Sequence, residues 1–449
     1  MISIRVCLKN HCPNLHIPLR GIFAPNSVGI AHYAALIWNK SPTKCDTHLG
    51  TSIFQTHPRE EESMEAYLDN AATTRAFDSV KDIMIETLSM DYGNPSSKHL
   101  KGIEAERYIR DAKDIISKRL KVEPKEIIFT SGGTESNNFA LIGTAMANKR
   151  KGNHIITTGI EHPSVHNPII FLEENGFQVT YVPVDSHGKV IMEELLNAVR
   201  EDTILVSIMY VNNEIGSVQR ISEISKEIKA KNPNVILHVD AIQAFGKYNI
   251  YPKRVGIDLL SVSGHKIHGP KGIGFLYIKD KVKIKPILYG GGQEKGMRSG
   301  TENVPAIAGL GQAVKEIYEN HDQKIKSLYH IKESFIEEVS QIEGVTINGV
   351  GDSLEDSAPH IVSVSFEGIR SEVLLHALEE KGIYVSSGSA CSSNHPALSG
   401  TLKAIGVRED LLDATLRFSF SVNTNVEEIR YTVEMLKELL PVLRRFRRH

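Results

Sequence analysis

The chain has 449 residues, of which 41% are hydrophobic and 24% are charged, and its formal net charge is −2. This composition is typical of an ordinary soluble globular protein, and the length leaves room for two domains. The near-neutral charge argues against general nucleic-acid binding. No apolar run approaches the roughly 20 residues that span a bilayer. Four cysteines are too few for a disulfide framework, so we expect a reducing, cytoplasmic setting.

The first 63 residues differ in composition from the rest of the chain. Residues 1–45 contain no Asp or Glu, and residues 1–63 hold the only Trp and three of the four cysteines. Without a secretory signal pattern, this stretch is either an organellar presequence or an upstream stretch outside the natural product. Cys7 and Cys12 lack a convincing ligand spacing, so we expect no metal site. We expect an unstructured, dispensable head, with globular patterning from Met64.

Short apolar runs alternate with helical segments from about residue 79. Seven runs read as strands: 127–129, 154–160, 178–184, 204–211, 234–239, 257–263 and 273–278. The segment before the first run carries helix-period apolar residues, including Ile103, Ile109 and Ile116. Strands separated by helices at this spacing predict an α/β domain, residues 79–321, with a mainly parallel, seven-stranded type of sheet covered by helices.

The pattern changes in the last third of the chain. We expect a helix around 327–342, an alternating strand at 360–366, a helix around 371–381 and then a Ser/Gly-rich loop. The chain ends in an amphipathic helix. These elements predict a smaller α+β C-terminal domain, residues 322–449, and we expect residues 64–78 to be an N-terminal segment that joins it.

Segment 261–272 carries a lysine, Lys266, with a histidine on each side. It joins two short apolar runs that we predict to be buried strands. Little water and cationic neighbours would lower the pKa of such a lysine towards the free amine, which Schiff-base chemistry requires. A solvated loop lysine is the ordinary alternative, so the interpretation depends on the rest of the chain.

Two further features suit a phosphorylated cofactor. A Gly-rich turn with Gly133 and Thr134 leads from a strand into a helix, where free N–H groups form an anion site that Ser263 and His265 could complete. Asp240 ends a buried strand, where ligands of open α/β sheets collect, although a helix N-cap is the alternative role. A Schiff-base lysine, a carboxylate for a ring nitrogen and a phosphate cradle are the three requirements of a pyridoxal phosphate site.

In combination, the motifs of the chain resemble the cysteine desulfurases of the NifS/IscS type, in the class V branch of fold-type-I pyridoxal phosphate enzymes. The resemblance covers about residues 65–440 and implies that cofactor and that fold. Its motifs are 67–74 (YLDNAATT), 93–97 (GNPSS), 130–135 (TSGGTE), 161–162 (EH), 211–216 (VNNEIG), 238–240 (HVD), 264–266 (GHK), 298–301 (RSGT) and 387–391 (SGSAC).

The resemblance implies roles for the residues around the cofactor. Lys266 would form the Schiff base, His162 would stack on the pyridine ring and transfer protons, and Asp240 would keep the ring nitrogen protonated. The implied phosphate ligands are Gly133, Thr134, Ser263, His265 and, from a partner subunit, Thr301.

The resemblance also implies how the ring oxygen and the substrate are held. Gln243 and Asn213 would bond the ring oxygen and its surroundings, and Asn213 would also contact the substrate, with Asn212 as the alternative to Asn213. Arg417 would clamp the substrate carboxylate in the bidentate geometry of a guanidinium.

Cys391 lies among small polar residues, in segment 386–394. This context predicts an exposed, mobile thiol, and an inert packing cysteine is the alternative. The resemblance implies that Cys391 takes the sulfur of L-cysteine as a persulfide and that L-alanine is released. The length of the loop resembles the group that hands sulfur to a scaffold protein, for iron–sulfur cluster assembly or for thiolation of tRNA or another cofactor.

Two other interpretations remain open at this point. Another class V enzyme, such as an aminotransferase or a selenocysteine lyase, would share the cofactor site; Cys391 favours desulfuration without excluding selenocysteine as a second substrate. A non-catalytic assembly scaffold is expected to lose Lys266, Asp240 or Cys391, and this chain has all three. We expect a homodimer with no nucleic-acid or membrane partner.

Overall fold

The computed structural model describes residues 64–351, 353–387 and 398–445. Its strands are β1 (Ala66–Tyr67), β2 (Ile127–Thr130), β3 (His154–Thr158), β4 (Gln178–Val182), β5 (Thr203–Met209), β6 (Ile236–Asp240), β7 (Leu259–Ser263), β8 (Gly274–Ile278), β9 (Val345–Asn348), β10 (Ile361–Phe366), β11 (Ile383–Tyr384), β12 (Ser386–Ser387) and β13 (Thr415–Ser419). The predictions for residues 1–63 and for Cys391 concern parts of the chain outside the described residues.

The helices of the described residues alternate with the strands over most of the chain. They are α1 (Asp78–Ser89), α2 (Leu100–Leu120), α3 (Gly133–Asn138), α4 (Thr144–Asn148), α5 (Pro163–Glu174), α6 (Met192–Ala198), α7 (Ile221–Lys231), α8 (Pro252–Val255), α9 (Val304–Ile317), α10 (His321–Val339), α11 (Ser371–Glu380), α12 (Gly400–Ala404), α13 (Glu409–Leu412) and α14 (Val426–Arg444). A π-helical turn, Phe139–Gly143, joins α3 to α4.

The largest sheet contains seven strands in the order β2-β8-β7-β6-β5-β3-β4. The neighbours β7-β6, β6-β5, β5-β3 and β3-β4 are parallel, and β8 is antiparallel to both β7 and β2. The prediction of a mainly parallel sheet of this size is therefore confirmed. Strands β5 and β7 are buried along their whole length, as expected for strands covered on both faces.

Helix α2 shows how the apolar pattern is used on one face of this sheet. Ala112, Ile116 and Leu120 are buried in the core beside the sheet, and the helix ends where Lys121 adopts a left-handed conformation. The predicted helix is correct, but Ile103, which contributed to the pattern, is 52% exposed. It lies off the buried stripe, so periodicity alone overstated its part in the core.

A second sheet, in the order β12-β13-β10-β9, is antiparallel throughout. Its core includes Phe335 from α10, Leu374 from α11 and Leu436 from α14. Helix α14 begins with a capping box, in which Asn425 and Glu428 each accept the backbone N–H of the other. The α+β character predicted for this region is therefore present, while the proposed boundary between residues 321 and 322 stays a prediction.

The first described strand lies outside the seven-stranded sheet, in a separate two-stranded sheet. β1 pairs in parallel with β11, and Ala66 and Leu68 lie in the same apolar cluster as α14. A few residues later, Ala71 and Phe77 lie in the core of the seven-stranded sheet. No helix of the described residues is long and apolar enough to cross a membrane.

We predict that buried His238 makes the stability of the fold sensitive to acid. Its ring nitrogens lie 2.8 and 2.9 Å from the hydroxyls of Ser207 and Ser261, and burial lowers its pKa to about 3. The unfolded chain binds this proton near pH 6.5, so the contribution to stability is complete above that pH and is lost as the pH falls towards 3. At pH 5 the loss is expected to be about 2 kcal/mol in the free energy of unfolding.

The measurement is the urea midpoint of unfolding from pH 7 to pH 5. His238→Gln, which keeps hydrogen-bonding groups, should lose less stability on acidification than the unmodified protein. His330→Gln, at an exposed position on α10, is the matched control and should follow the unmodified protein. Identical pH profiles for the two variants would contradict the prediction.

Candidate active site

The candidate site lies at the carboxyl ends of the parallel strands. In the strand order, β3 lies between β4 and β5, so the chain reverses direction across the sheet between these strands. Ligands of open α/β sheets bind at such a switch point. The predicted residues that line a cavity of about 220 Å³ there are Gly133, Thr134, His162, Asn213, Asp240, Gln243, Ser263, His265, Lys266 and Arg417.

Lys266 ends a short 3₁₀ turn that follows β7. Its Nζ donates to the carbonyl oxygens of Ala71 and Ala72, at 2.5 and 2.7 Å, so the amine is held against the N-terminal segment. Lys247, which the sequence did not single out, is buried and donates from its Nζ to the Lys266 carbonyl at 2.9 Å. Burial lowers the pKa of Lys247 to about 8. The backbone of Lys266 and its side chain are thus each held by a separate partner.

His162 is the N-cap residue of α5. Its Nδ1 accepts the backbone N–H of Ser164 at 3.0 Å. Because that N–H can only donate, Nδ1 carries no proton and the neutral ring carries its proton on Nε2. Burial, and then the charge of Lys266 and Arg417, lower the pKa of His162 to about 4. The ring is therefore neutral at physiological pH.

Asp240 ends β6 and is 4% exposed. One carboxylate oxygen accepts the backbone N–H of Ile242 at 2.9 Å and the other accepts Asn137 Nδ2 at 2.7 Å. Burial raises the pKa of the carboxyl, while these hydrogen bonds and the charge of Lys266 oppose that effect. The hydrogen bond from the Ile242 N–H is of the kind that an N-cap aspartate accepts, which was the alternative role for Asp240. Asp240 also lines the cavity. Its two roles are therefore compatible.

The Gly-rich turn provides a close backbone approach to the cavity. Gly132 has φ 147°, in the region that favours glycine, and a Cβ added to Gly133 would lie 2.2 Å from Ile242 Cδ1. The first turn of the helix that follows has N–H groups without intrahelical acceptors. Ser263 is buried nearby, and burial together with Lys266 lowers the pKa of His265 to about 4. A phosphate-sized anion would meet neutral donors here.

The structure distinguishes the two neighbouring asparagines. The side chain of Asn212 is buried and holds its own turn, since its Oδ1 accepts the backbone N–H groups of Glu214 and Ile215. Asn213, by contrast, lines the cavity. Asn213 is therefore the residue of this pair that can contact a ligand.

Gln243 connects the cavity to the N-terminal segment. It donates from Nε2 to the Ala71 carbonyl, which also accepts Lys266 Nζ. Its Oε1 lies 3.2 Å from His360 Nε2, so the histidine nitrogen is the donor. His360 was not identified from the sequence, and burial holds its pKa well below the usual value.

Arg417 reaches the cavity from β13 of the second sheet. Its Nη1 donates to the Asn213 carbonyl at 2.9 Å and its Nη2 to Asp69 Oδ1 at 2.8 Å. The side chain is only 5% exposed, and its Nε has no hydrogen-bond partner among the described residues. A buried cation with an unused donor suits a carboxylate ligand.

Two predicted site residues are not among the described residues that line this cavity. Thr301 is exposed and does not line it, so its proposed contribution to a second subunit's site stays a prediction. Cys391 lies outside the described residues. Among the residues that the structure describes, no cluster of His, Cys, Asp or Glu is arranged to hold a metal ion.

The arrangement combines four chemical functions in one small space. It offers neutral donors for an anion, a primary amine, a buried carboxylate for a protonated ring nitrogen, and a guanidinium for a second anionic group. The sequence missed the supporting residues Asp69, Asn137, Lys247 and His360. Of these, only Asp69 lies within a motif that we had singled out, and the others had no local signal.

Comparisons with known proteins identify the family of the chain. The family model of the class V aminotransferases matches residues 66–431, and that of a family of unknown function (DUF6783) matches residues 8–66. "Cysteine desulfurase IscS" of Dictyoglomus turgidum is 42% identical over 381 residues, which are 85% of this chain and 95% of that protein.

Solved structures give the same result at the level of the fold. A structure described as a NifS-like protein superposes with a TM-score of 0.80 at 39% identity, covering 85% of this chain and 100% of the other. A structure described as SspA in complex with cysteine has a TM-score of 0.70 at 34% identity, covering 80% of this chain and 100% of the other. The chain therefore belongs to the class V aminotransferase family, among the cysteine desulfurases of the NifS/IscS type.

Proposed function

We propose that this protein is a pyridoxal phosphate-dependent cysteine desulfurase, which converts L-cysteine to L-alanine and carries the sulfur as a persulfide on Cys391. The observation that carries the proposal is the shared cavity, which Lys266, Asp240 and Arg417 line together. Membership of the cysteine desulfurase family supports it. The composition of the chain, with few cysteines, leads us to propose a cytoplasmic location.

The cavity fits the proposed cofactor in its donor chemistry. Gly133 and Thr134, with Ser263 and His265, would hold the phosphate, because these four residues line the cavity together and a Cβ at Gly133 would crowd Ile242. Asp240 would hold the proton on the ring nitrogen. When bound, pyridoxal phosphate supplies an electron sink that weakens the bonds at the α and β carbons of an amino acid.

The residues of the chain would divide the remaining work. Lys266 supplies the primary amine that links the cofactor to the protein and can move the proton of the substrate α carbon at Nζ. His162, neutral at physiological pH, offers its Nε2–H as a hydrogen-bond donor. Asn137 fixes one oxygen of Asp240 and so orients the carboxylate.

Arg417 would bind the substrate carboxylate. Its Nε has no hydrogen-bond partner among the described residues, and its Nη2 donates to Asp69, which holds the guanidinium in position. A bound carboxylate could therefore accept a charge-assisted hydrogen bond from a buried cation that is already in place. Asn213, whose carbonyl accepts Arg417 Nη1, would complete this end of the site.

Cys391 would perform the sulfur transfer. Its thiolate attacks the sulfur of the bound cysteine, so that an S–S bond forms and the bond from the β carbon to sulfur breaks. The electron pair of the broken bond stays on the three-carbon fragment, which takes up protons and leaves as alanine. The persulfide is a reversible state, and an acceptor thiol or a scaffold protein for iron–sulfur assembly would then take the sulfur.

We further propose a homodimer in which Thr301 of the partner subunit completes the phosphate site. Two large apolar residues, Leu288 and Tyr289, are 41% and 79% exposed in this chain. They directly precede the glycines 290–292 and lie close in sequence to Thr301. An interface that covers these two adjacent side chains would remove their apolar surface from water.

Replacing Lys266 tests the cofactor chemistry. Lys266→Ala should lower alanine production on the order of 10³-fold and remove the visible absorbance of lysine-linked pyridoxal phosphate, because the linking amine is gone. Lys271→Ala, at an exposed position in the same loop, is the control and should keep both. Turnover by Lys266→Ala at the rate of the unmodified protein would refute the assignment.

Replacing Cys391 tests the sulfur transfer. Cys391→Ser should bind the cofactor and respond spectrally to L-cysteine, since the substitution leaves every described residue that lines the cavity unchanged. Alanine and sulfide release should fall to background, because a serine hydroxyl is a poor nucleophile towards sulfur and cannot hold a persulfide. Cys45→Ser is the matched control with full activity. Normal alanine release by Cys391→Ser would instead fit a packing cysteine.

Mixing two inactive variants tests the dimer. If Thr301 acts across subunits, a heterodimer of Lys266→Ala and Thr301→Ala chains contains one intact site and one site with both substitutions. Each homodimer should be impaired, and co-refolded mixtures should regain alanine production. If Thr301 acts within its own subunit, both sites of the heterodimer are damaged and no activity returns.

A further inference from the structure

Glu214 is a partly buried carboxylate that the proposed chemistry does not use. It follows Asn213, which lines the cavity, in the turn at residues 211–216. Its Oε2 accepts the hydroxyl of Ser399 at 2.5 Å, and its Oε1 accepts the hydroxyl of Thr401 at 3.3 Å. Both carboxylate oxygens are thus directed at a part of the chain that lies far away in sequence.

Ser399 and Thr401 stand at the beginning of α12. The Ser399 hydroxyl also accepts the backbone N–H of Leu402 at 3.0 Å, so one side chain caps the helix and bonds Glu214. Beneath these polar contacts, Leu402 and Ile405 pack with Ile215 in a small apolar cluster. The beginning of α12 is therefore attached to the turn of Glu214 by hydrogen bonds and by packing.

This attachment lies directly after the segment that carries Cys391, residues 388–397, in sequence. The other end of that segment is also attached near the cavity, since Ser386 pairs with Arg417 in the second sheet. Arg417 in turn donates to the carbonyl of Asn213, the neighbour of Glu214. Both ends of the Cys391 segment are thus attached to residues beside the substrate end of the cavity.

We propose that Glu214 is a positioning residue, which holds the C-terminal end of the Cys391 segment beside the cavity without touching the cofactor or the substrate. The inference rests on the proposed function. A loop with both ends fixed near its target meets that target more often than a loop with one end released, because its accessible volume is smaller. Glu214 would therefore act on sulfur transfer and leave cysteine binding almost unchanged.

The electrostatic setting suits a hydrogen-bonded anchor. Burial raises the pKa of the Glu214 carboxyl, whereas the Ser399 hydroxyl, the charge of Arg417 and the Thr401 hydroxyl lower it. An uncharged amide at this position could also bond both hydroxyls, because a hydroxyl both donates and accepts. Shape and hydrogen bonds, more than charge, should determine how well the anchor works.

The test separates binding from transfer in the full-length holoenzyme. Glu214→Ala should lower kcat for alanine about 10- to 100-fold, because the beginning of α12 would no longer be fixed to the turn beside the cavity. The KM for L-cysteine and the cofactor content should change less than about threefold, and Glu214→Gln should restore most of kcat. Glu223→Ala removes an exposed glutamate of α7 and is the matched control.

A second pair of variants separates the anchor from the helix cap. Ser399→Asp keeps a capping oxygen but places a second carboxylate against that of Glu214. Its kcat should therefore be no higher than that of Ser399→Ala. Combined with Glu214→Gln, whose amide can donate to the new carboxylate, it should recover activity. In protein stripped of cofactor, hydrogen exchange at residues 402–406 should rise in Glu214→Ala and not in Glu223→Ala.

Each outcome bears on a separate claim. If the unmodified protein forms no alanine from L-cysteine, the proposed function fails. If it does, and Glu214→Ala has an unchanged kcat, the positioning role fails. A parallel fall of cofactor content and kcat in Glu214→Ala and Glu214→Gln would also overturn the positioning role, since it would indicate a folding defect. Full activity of Ser399→Asp with Glu214 unchanged would overturn it too, since the helix cap alone would then be sufficient.

Discussion

The segment from Ala66 to Thr74 is the constraint on which the site depends, because it connects the two sheets and contacts the lysine. Leu68 is buried in the core of the second sheet and Ala71 in the core of the first. Between them, Asp69 pairs with Arg417, and the Ala71 carbonyl accepts both Lys266 and Gln243. A displacement of this short segment would therefore alter the lysine and the arginine together. Its backbone carbonyls accept the hydrogen bonds of Lys266 Nζ. The identity of the side chains in this segment does not indicate that role.

Burial controls the charges around the cavity. Lys266, Lys247 and Arg417 place cationic groups close together, and desolvation together with these charges keeps the neighbouring histidines neutral, with the pKa of His162 at about 4. Glu161, which accepts the Thr158 hydroxyl and the Met209 N–H, has its pKa raised to about 8 by burial and is mostly protonated at neutral pH. Burial also raises the pKa of Asp240, which lines the cavity where the proposed ring nitrogen would lie, while its hydrogen bonds and the charge of Lys266 oppose that effect. The cationic side chains Lys266 and Arg417, which both line the cavity, suit it to an anionic ligand.

The two sheets contribute different parts of the proposed reaction. Loops of the seven-stranded sheet hold the lysine, the carboxylate and the anion site, whereas the second sheet supplies Arg417. The segment with Cys391 follows β12 of the second sheet. Ser399, shortly after that segment, bonds Glu214, which lies in the loop after β5 of the seven-stranded sheet. The cofactor chemistry and the sulfur transfer are thus assigned to separate elements. Substitutions can therefore impair one and spare the other.

The sequence alone was enough for the parallel sheet, since short buried strands leave a local signal. The position of Lys266 between two such strands singled it out, whereas its proposed role depended on the family resemblance of the motifs. The sequence also selected His162 and Asp240, which the structure places on the cavity, at the beginning of α5 and at the end of β6. The choice between Asn212 and Asn213 required the structure, because only the fold shows that the Asn212 side chain accepts backbone N–H groups of its own turn. The same holds for the pairs Asp69–Arg417 and Glu214–Ser399, which join residues 348 and 185 positions apart. Periodicity and motifs describe neighbours along the chain, whereas these contacts exist only because separate elements pack against each other.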